Sequence, residues 1–257
     1  MKLVAFTIVL DGEPFIERHL PVFQQLTIPW QWIVVEGAAG NTADTSWCQP
    51  QEPRLSVDGT HEYLRSVRHH QFKHIYKPRW ANKTMMCNTA LEDIDEPCVL
   101  MQIDADEIWR AQQLEMIVSL FVDDVELESI KFACRYFVGR GLMLQGEDCY
   151  GDYPYEWTRA WRFFPGDRFI SHEPSILSGI HQKPQRPMTK KLSRELGLVF
   201  DHFPYFTEAQ VAYKEKFYSY AGLLDQWRAL QRNKDFPVPL SRFFSHVSGD
   251  LPSVVKI

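Results

Sequence analysis

Runs of apolar residues separated by polar breaks set out the elements of this chain before any chemistry is considered. "KLVAFTIVL" at residues 2–10 is β-branched and aromatic-rich, the composition of a strand. "DGEPFIERHLPVFQQL" follows, with Ile16, Leu20 and Phe23 at helical spacing and Pro14 where a first turn tolerates it. "WQWIVVEG" at 30–37 reads as a second short strand ending on Glu36 and Gly37, and the polar, turn-rich "AAGNTADTSWCQPQEP" comes next. The opening of the chain therefore predicts a β-α-β unit with polar loops at its strand ends.

Farther along, Met86, Ala90 and Ile94 are four apart and predict a helix over 84–94, feeding the strand "EPCVLMQI". Continuous apolarity in "CVLMQI" predicts burial on both faces, as in the central strand of a parallel or mixed sheet lying between helices. Leu114, Ile117, Val118 and Phe121 form one helical stripe over 111–121, and "SIKFACRYFVG" at 129–139 is strand again. From about Gly139 the texture turns to Gly, Asp and Tyr, the texture of a long substrate-facing loop. Thr207 can cap a late helix over 207–231 carrying Tyr213, Phe217, Tyr220, Leu224 and Trp227. That aromatic stripe is expected to pack on its own domain, with a dimer face or membrane-surface contact as the alternatives. The organisation expected is a catalytic-type α/β domain at 1–200 and a C-terminal helical extension at 201–257 packed on it.

Composition narrows the classes. At 257 residues and 45% hydrophobic, the chain can bury a large core. A net charge of −5 and a pI near 6.0 leave no basic face for a phosphate backbone, which argues against nucleic acid as a partner. A small charged substrate that brings its own cation fits better. Five scattered cysteines without a C-x-x-C pair argue against a disulfide framework and a zinc ribbon, and point to thiols in a reducing cytoplasm. The first apolar stretch is too short and wrongly flanked for a signal peptide, and no run approaches the roughly 20 residues of a membrane helix. A cytoplasmic chain with at most peripheral membrane contact is the expectation.

The chemistry concentrates in "CVLMQIDADEIW", residues 98–109. Ligands of α/β sheets bind outside the carboxyl ends of the strands, and Asp11, Glu36 and the cluster Asp104, Asp106 and Glu107 stand at three such ends. Residues i and i+2 of an extended segment share a face, so Asp104 and Asp106 are expected to point together while Glu107 diverges. Facing carboxylates repel unless a cation lies between them, and a hard divalent ion, Mn2+ or Mg2+, is suited to bridge them to a substrate diphosphate. The alternative is that these acids cap the helix starting near Ala111. Elsewhere "HHQFKH" sets His70 and His74 at i and i+4, a zinc-type pair if helical, but without the glutamate of H-E-x-x-H or a third ligand nearby.

Strand, "DADE" and helix, preceded by "KTMMCNTAL" and followed by "TRAWRFFPGDRFISHEP", resemble the family-2 glycosyltransferases of the GT-A fold, which use a nucleotide sugar and a D-x-D motif. "GEPFIERHL", "VVEG" and "HEP", in that order, make the likeness more specific than D-x-D alone, and it covers most of residues 1–175. The fold implied is α/β, a GT-A-like nucleotide-diphospho-sugar transferase fold with a central, mostly parallel mixed sheet flanked by helices and a helical C-terminal extension. The activity implied is metal-dependent, inverting transfer of a sugar from a nucleotide-diphosphate sugar to a saccharide, lipid-linked or protein hydroxyl.

Carried over position by position, the resemblance implies that Glu36, where relatives usually have Asp, contacts the nucleobase or ribose, with Asp11 also on the donor side. Lys83 and Asn88 would hold nucleotide and sugar. Asp104 would touch ribose or sugar hydroxyls and, with Asp106, the metal and diphosphate, and His172 would complete the coordination. Glu173 is the favoured base, Glu156 the second candidate, and Asp148 or Asp152 in the preceding loop are further ones. Arg159 and Arg162 both suit a diphosphate, but only one can face the site if "TRAWRFF" is extended; Arg162 is assigned to the donor. Trp80, Trp157 and Trp161 suit ring stacking or the core. Two other classes fit the same acids: a metal-dependent nucleotidyl- or phosphoryl-transfer enzyme, and a non-catalytic nucleotide- or carbohydrate-binding protein.

Overall fold

A computed structural model describes residues 1–43, 46–145, 158–179, 186–247 and 252–257. Strand β1 (Leu3–Val9) leads through a 3-10 turn (Ile16–Arg18) and a short helix α1 (His19–Phe23) to β2 (Trp30–Ala39). Helix α2 (Thr60–Ser66) and strand β3 (Phe72–Trp80) follow. The "HHQFKH" stretch is thus not helical: β3 pairs parallel with β2, and His70 and His74 share no helix face. Strand pairing wins over any i, i+4 pattern because the β-branched, aromatic "FKHIYKPRW" suits a sheet and Pro78 opposes a helix. At Gly37 (φ 136°) the β2–β3 register shifts, and a Cβ there would lie 2.0 Å from the Lys77 carbonyl, so only glycine fits.

Helix α3 (Lys83–Leu91) starts on Asn82, whose side chain accepts from the Met85 N–H at 2.7 Å. It precedes the fully buried β4 (Cys98–Gln102). After β5 (Glu107–Ile108) and α4 (Ala111–Asp123), the strand expected over 129–139 divides at buried Phe132 into β6 (Ser129–Lys131) and β7 (Ala133–Gly139). The two pieces belong to different sheets, although their buried residues Ile130, Phe132, Cys134 and Val138 pack in one core. Then come β8 (Leu142–Leu144), β9 (Thr158–Phe163), the hairpin β10 (Arg168–His172) and β11 (Ser175–Ser178), β12 (Pro187–Met188), α5 (Lys190–Glu195) and β13 (Val199–His202).

The late helix is two helices, α6 (Glu208–Tyr218) and α7 (Leu223–Arg232). Thr207 does cap α6, accepting from the Gln210 N–H at 3.2 Å. The break comes where Ser219 and Gly222 take left-handed φ values of 57° and 75°, a helix stop that aromatic periodicity does not reveal. Strands β14 (Val238–Pro239) and β15 (Ser253–Lys256) end the chain.

Among the described residues the main sheet has seven strands in the order β12-β6-β9-β4-β1-β2-β3. The run β4-β1-β2-β3 is parallel, and β9 lies antiparallel between β4 and β6, so the fold is α/β with a mixed central sheet. Alternate residues of β1 enter opposite cores. Leu3 and Ala5 pack with Trp32, Leu114 and Phe121 on one face, and Val4 and Phe6 pack with Met86, Ala90 and Phe169 on the other. A second sheet, β14-β15-β8-β7-β13-β5, joins strands from before and after residue 200, which falls inside β13. No helix among the described residues is long and apolar enough to cross a membrane.

Candidate active site

Parallel register brings the carboxyl ends of β1, β2 and β4 to one edge, where Val9 pairs with Glu36 and Phe6 with Gln102. A cleft of about 1380 Å3 opens over the β1 and β4 ends, lined among others by Asp11, Lys83, Asp104, Asp106, Arg159, His172, Glu173 and Lys214. The "DADE" segment is a tight turn rather than a continued strand. Its Glu107 N–H reaches the Asp104 carbonyl at 3.0 Å, and the buried ring of His19 holds the Ala105 carbonyl through Nε2 at 2.9 Å. Asp104 and Asp106 both line the cleft, whereas Glu107 turns inward and has no exposed surface.

Two cationic side chains and an imidazole surround these acids. Arg159 is buried and places Nε 2.9 Å from Glu107 Oε1 and Nη2 3.1 Å from Asp104 Oδ2. Burial disfavours the charge on Asp104, but the Arg159 guanidinium holds its carboxyl below the usual range. Burial likewise opposes ionisation of Asp106, yet His202 and Lys214 keep it down at about 2. His202 arrives on β13 with Nε2 3.6 Å from Asp106 Oδ1. Lys214, on α6, is itself pushed down by burial, and its Nζ lies 5.5 Å from the Tyr205 ring centre.

Across the cleft, the β10–β11 turn carries His172 and Glu173. Lys83, the first residue of α3, bonds Glu173 through Nζ. Burial raises the cost of charge on Glu173, but Lys83 and then His172 bring its carboxyl to about 2. Burial pushes the His172 imidazole down to about 4, helped by the nearby Lys83 charge. Its Nδ1 lies 3.6 Å from Cys87 Sγ and its Nε2 3.6 Å from Glu173 Oε1.

Other expected site residues sit elsewhere. Asn88 clamps the main chain of β10, donating to the Phe169 carbonyl at 2.9 Å and accepting its N–H at 2.8 Å, and it does not line the cleft. Arg162 points away from the site. Its guanidinium donates to the carbonyls of Leu127 at 3.0 Å and Asp124 at 2.8 Å and to that of Phe121, closing the carboxyl end of α4. Since 159 and 162 occupy opposite faces of β9, Arg159 is the arginine that faces the acids.

Glu36 also stays out of the cleft: it is fully buried and accepts the Ser56 N–H at 2.8 Å, with two imidazoles on its other oxygen. Asp11 does border the cleft, but Arg54 and the Val57 N–H (2.9 Å) hold its carboxylate. Glu156, Asp148, Asp152 and Trp157 lie outside the described residues. Trp161 and Trp80 are buried in the core.

Sequence reading alone missed Lys214, His202, Arg54 and the cleft-lining Trp47, which stacks on Tyr218 with centroids 5.1 Å apart. Trp47 and Arg54 come from the loop after β2, and His202 and Lys214 from β13 and α6, far along the chain from the acids they approach.

Among the described residues, one group of three His, Cys, Asp or Glu side chains has its ligand atoms all within 4.8 Å of one another: Glu36, His61 and His74. Asp104, Asp106 and His172 form no such cage. An oxygen-preferring ion shared with a substrate diphosphate does not need one. Magnesium typically takes one or two carboxylates and fills the remaining positions with phosphate oxygens and water. The carboxylates at the mouth of β4 fit that donor set.

No protein-family model matches the chain, and no curated protein sequence does. Among solved structures, S. aureus TarS residues 1–349 is similar at 16% identity and a TM-score of 0.41, over 63% of this chain and 47% of that one. The same TarS segment with UDP-GlcNAc gives 13% identity and a TM-score of 0.40. The mannosyltransferase PcManGT from Pyrobaculum calidifontis, in complex with GDP-Man and Mn2+, gives 13% identity and a TM-score of 0.47, over 91% of this chain and 65% of that one. This chain spans about half the length of the TarS segment and less than two-thirds of the mannosyltransferase.

Proposed function

We propose that the chain is a glycosyltransferase of GT-A type that moves a sugar from a nucleotide-diphosphate sugar to an acceptor hydroxyl, with inversion. The observation that carries this reading is the pair Asp104 and Asp106 at the carboxyl end of β4, opening on the same cleft as Lys83, Arg159 and Lys214. Carboxylates ringed by cations suit a substrate that is itself a metal-bound polyanion: the acids meet the cation and the lysines meet phosphate oxygens. Asp106 and Asp104 would hold Mn2+ or Mg2+, which when bound supplies Lewis-acid stabilisation of the leaving diphosphate.

The remaining work falls to the protein. Glu173 takes the proton of the acceptor hydroxyl as its oxygen bonds to the anomeric carbon and the carbon–phosphate-oxygen bond breaks. Lys83 holds Glu173 ionised but weakly basic in the free protein. A diphosphate entering beside Lys83 competes for that ammonium, and loosening the pair raises the basicity of Glu173. His172 stays neutral beside it. Trp47, half exposed at the cleft edge against Tyr218, offers a flat face to a sugar ring.

A thermal-shift panel of nucleoside diphosphates with and without manganese tests the reading, since a ligand that binds the folded state stabilises it by mass action. The expected result is a manganese-dependent shift with one nucleotide that disappears in Asp106→Ala. Shifts independent of both metal and Asp106 would overturn it. Release of pyrophosphate, in place of a nucleoside diphosphate, would reassign the site to nucleotidyl transfer.

A further inference from the structure

Glu36 takes no part in the cleft, yet it stands at the carboxyl end of a parallel strand with no exposed surface. Its Oε1 is fixed by the Ser56 N–H at 2.8 Å. Two imidazole nitrogens converge on its Oε2, His61 Nδ1 at 2.8 Å and His74 Nε2 at 2.9 Å. They come from separate parts of the chain. His74 lies on β3 opposite Val34 of β2, and so shares a sheet face with Glu36, while His61 lies in the first turn of α2, which covers that face.

We propose that Glu36, His61 and His74 form a zinc site distinct from the acids of the cleft. Two imidazoles and one carboxylate are an established donor set for zinc, with water in the fourth position, and imidazole disfavours magnesium and calcium. Bonds of about 2 Å to each ligand need the three atoms only slightly farther apart than they stand. All three ligand atoms already lie within 4.8 Å of one another.

The surroundings orient these ligands as outer partners do around metals. Ser56 turns the carboxylate, and the Trp80 indole N–H donates to the Glu36 carbonyl at 2.9 Å. The His61 side chain keeps 16% of its surface exposed, against 8% for His74 and none for Glu36, which gives an ion and its water a way in on that side.

The zinc would be structural. It joins α2 to β2 and β3, and the adjoining Ser56 and Thr60 hydroxyls accept the N–H groups of Asp11 and Gly12 at 3.0 and 2.8 Å. The ion would therefore stiffen one wall of the cleft without touching its acids.

The test uses the full chain, stripped with chelator, dialysed, and titrated with zinc and separately with cobalt near neutral pH. Expected are one equivalent of zinc bound, a rise in melting temperature, and the visible absorption of four-coordinate cobalt. His61→Ala and His74→Ala should each weaken zinc binding by at least about 10-fold, whereas Asp106→Ala should bind as the parent does. No zinc binding by the parent, unchanged zinc binding in both histidine variants, or loss confined to Asp106→Ala would each overturn the proposal. His74 is largely buried, so if its variant does not fold, His61→Ala alone decides. Failure of manganese-dependent nucleotide binding would sink the glycosyltransferase reading and leave the zinc result standing, and the converse also holds.

Discussion

Glu36 at the end of β2 and Asp106 beyond β4 stand at the carboxyl edge of one sheet, yet Glu36 has no exposed surface while Asp106 opens on the cleft. Each carboxylate is ionised, and different partners keep it so. Burial opposes the charge on Glu36, but His74, His61 and Ser56 bring it to about 2 through hydrogen bonds that fill both oxygens. Asp106 reaches about 2 against the same opposition through His202 and Lys214, groups that still leave it facing the cleft. A strand-end acid is therefore not by itself a substrate site. Whether it can meet a substrate depends on whether it is enclosed by protein groups or left facing the cleft.

The sharpest way to break this contrast is to remove the two carboxylates. Asp106→Ala should lower transfer by at least about 10²–10³-fold, the scale of losing preorganised charge stabilisation, while the circular dichroism stays that of the parent. Nearly full transfer by this variant, or full activity in chelator, would put the chemistry elsewhere. Glu36→Gln should instead act on stability, seen as a lowered urea midpoint.

Next in size is Arg159→Leu. It takes the shared guanidinium away from Asp104 and from buried Glu107, whose carboxyl burial pushes up to about 8, and should cost about 3 kcal/mol in urea unfolding, the scale of leaving buried polar groups unpaired. A loss below 1 kcal/mol by the same measurement would show that Glu107 is held by other partners.

Acid should expose the difference between cleft and core as well. The buried His172 imidazole has its pKa lowered from 6.5 to about 4, so the unfolded chain takes up that proton first. Its contribution is complete above the unfolded value and is lost as pH falls from 6.5 to about 4, up to about 3 kcal/mol. Asp106 and Glu173 have lowered pKa values, so their contributions stand above the unfolded carboxylate range and are lost as pH falls toward about 2. Glu107, whose carboxyl burial pushes up to about 8, works in the opposite sense and gains as pH falls, so the His172 step is read from the difference in urea midpoint between the parent and His172→Gln; a difference that stays constant between 6.5 and 4 would mean that water reaches His172.

Two smaller effects separate architecture from chemistry. Arg162→Met should cost about 1–3 kcal/mol by freeing the carbonyls at the end of α4, with transfer unaltered, since that guanidinium faces away from the cleft. Loss of transfer without loss of stability would return Arg162 to the site. Thr207→Ala removes the α6 cap and should cost about 1 kcal/mol in the same assay.

Much of the fold was legible along the chain. The continuous apolarity of "CVLMQI" marked β4 as central, since a strand covered on both faces has no polar positions to alternate with. That "DADE" opens on a cavity was legible for the same reason: charge at the mouth of such a strand needs a cavity or a partner. Less legible was where apolar runs divide. Residues 129–139 look uniform but supply two sheets, and the α6–α7 break depends on left-handed backbone at Ser219 and Gly222. The arginines show how far alternation reaches. Period two separates Arg159 from Arg162, and says nothing of which one meets the acids.

By itself, then, the sequence determined the alternation of elements, the central buried strand and the acids that close it, because periodicity and burial are local consequences of side-chain type. Tertiary structure decided which groups those acids meet. Arg159 comes across from β9, Lys214 and His202 from segments near the end of the chain, and His61 and His74 reach Glu36 from a helix and a neighbouring strand. Electrostatic partnership acts over a few ångströms in space, and no spacing along a chain encodes which distant segments will come that close.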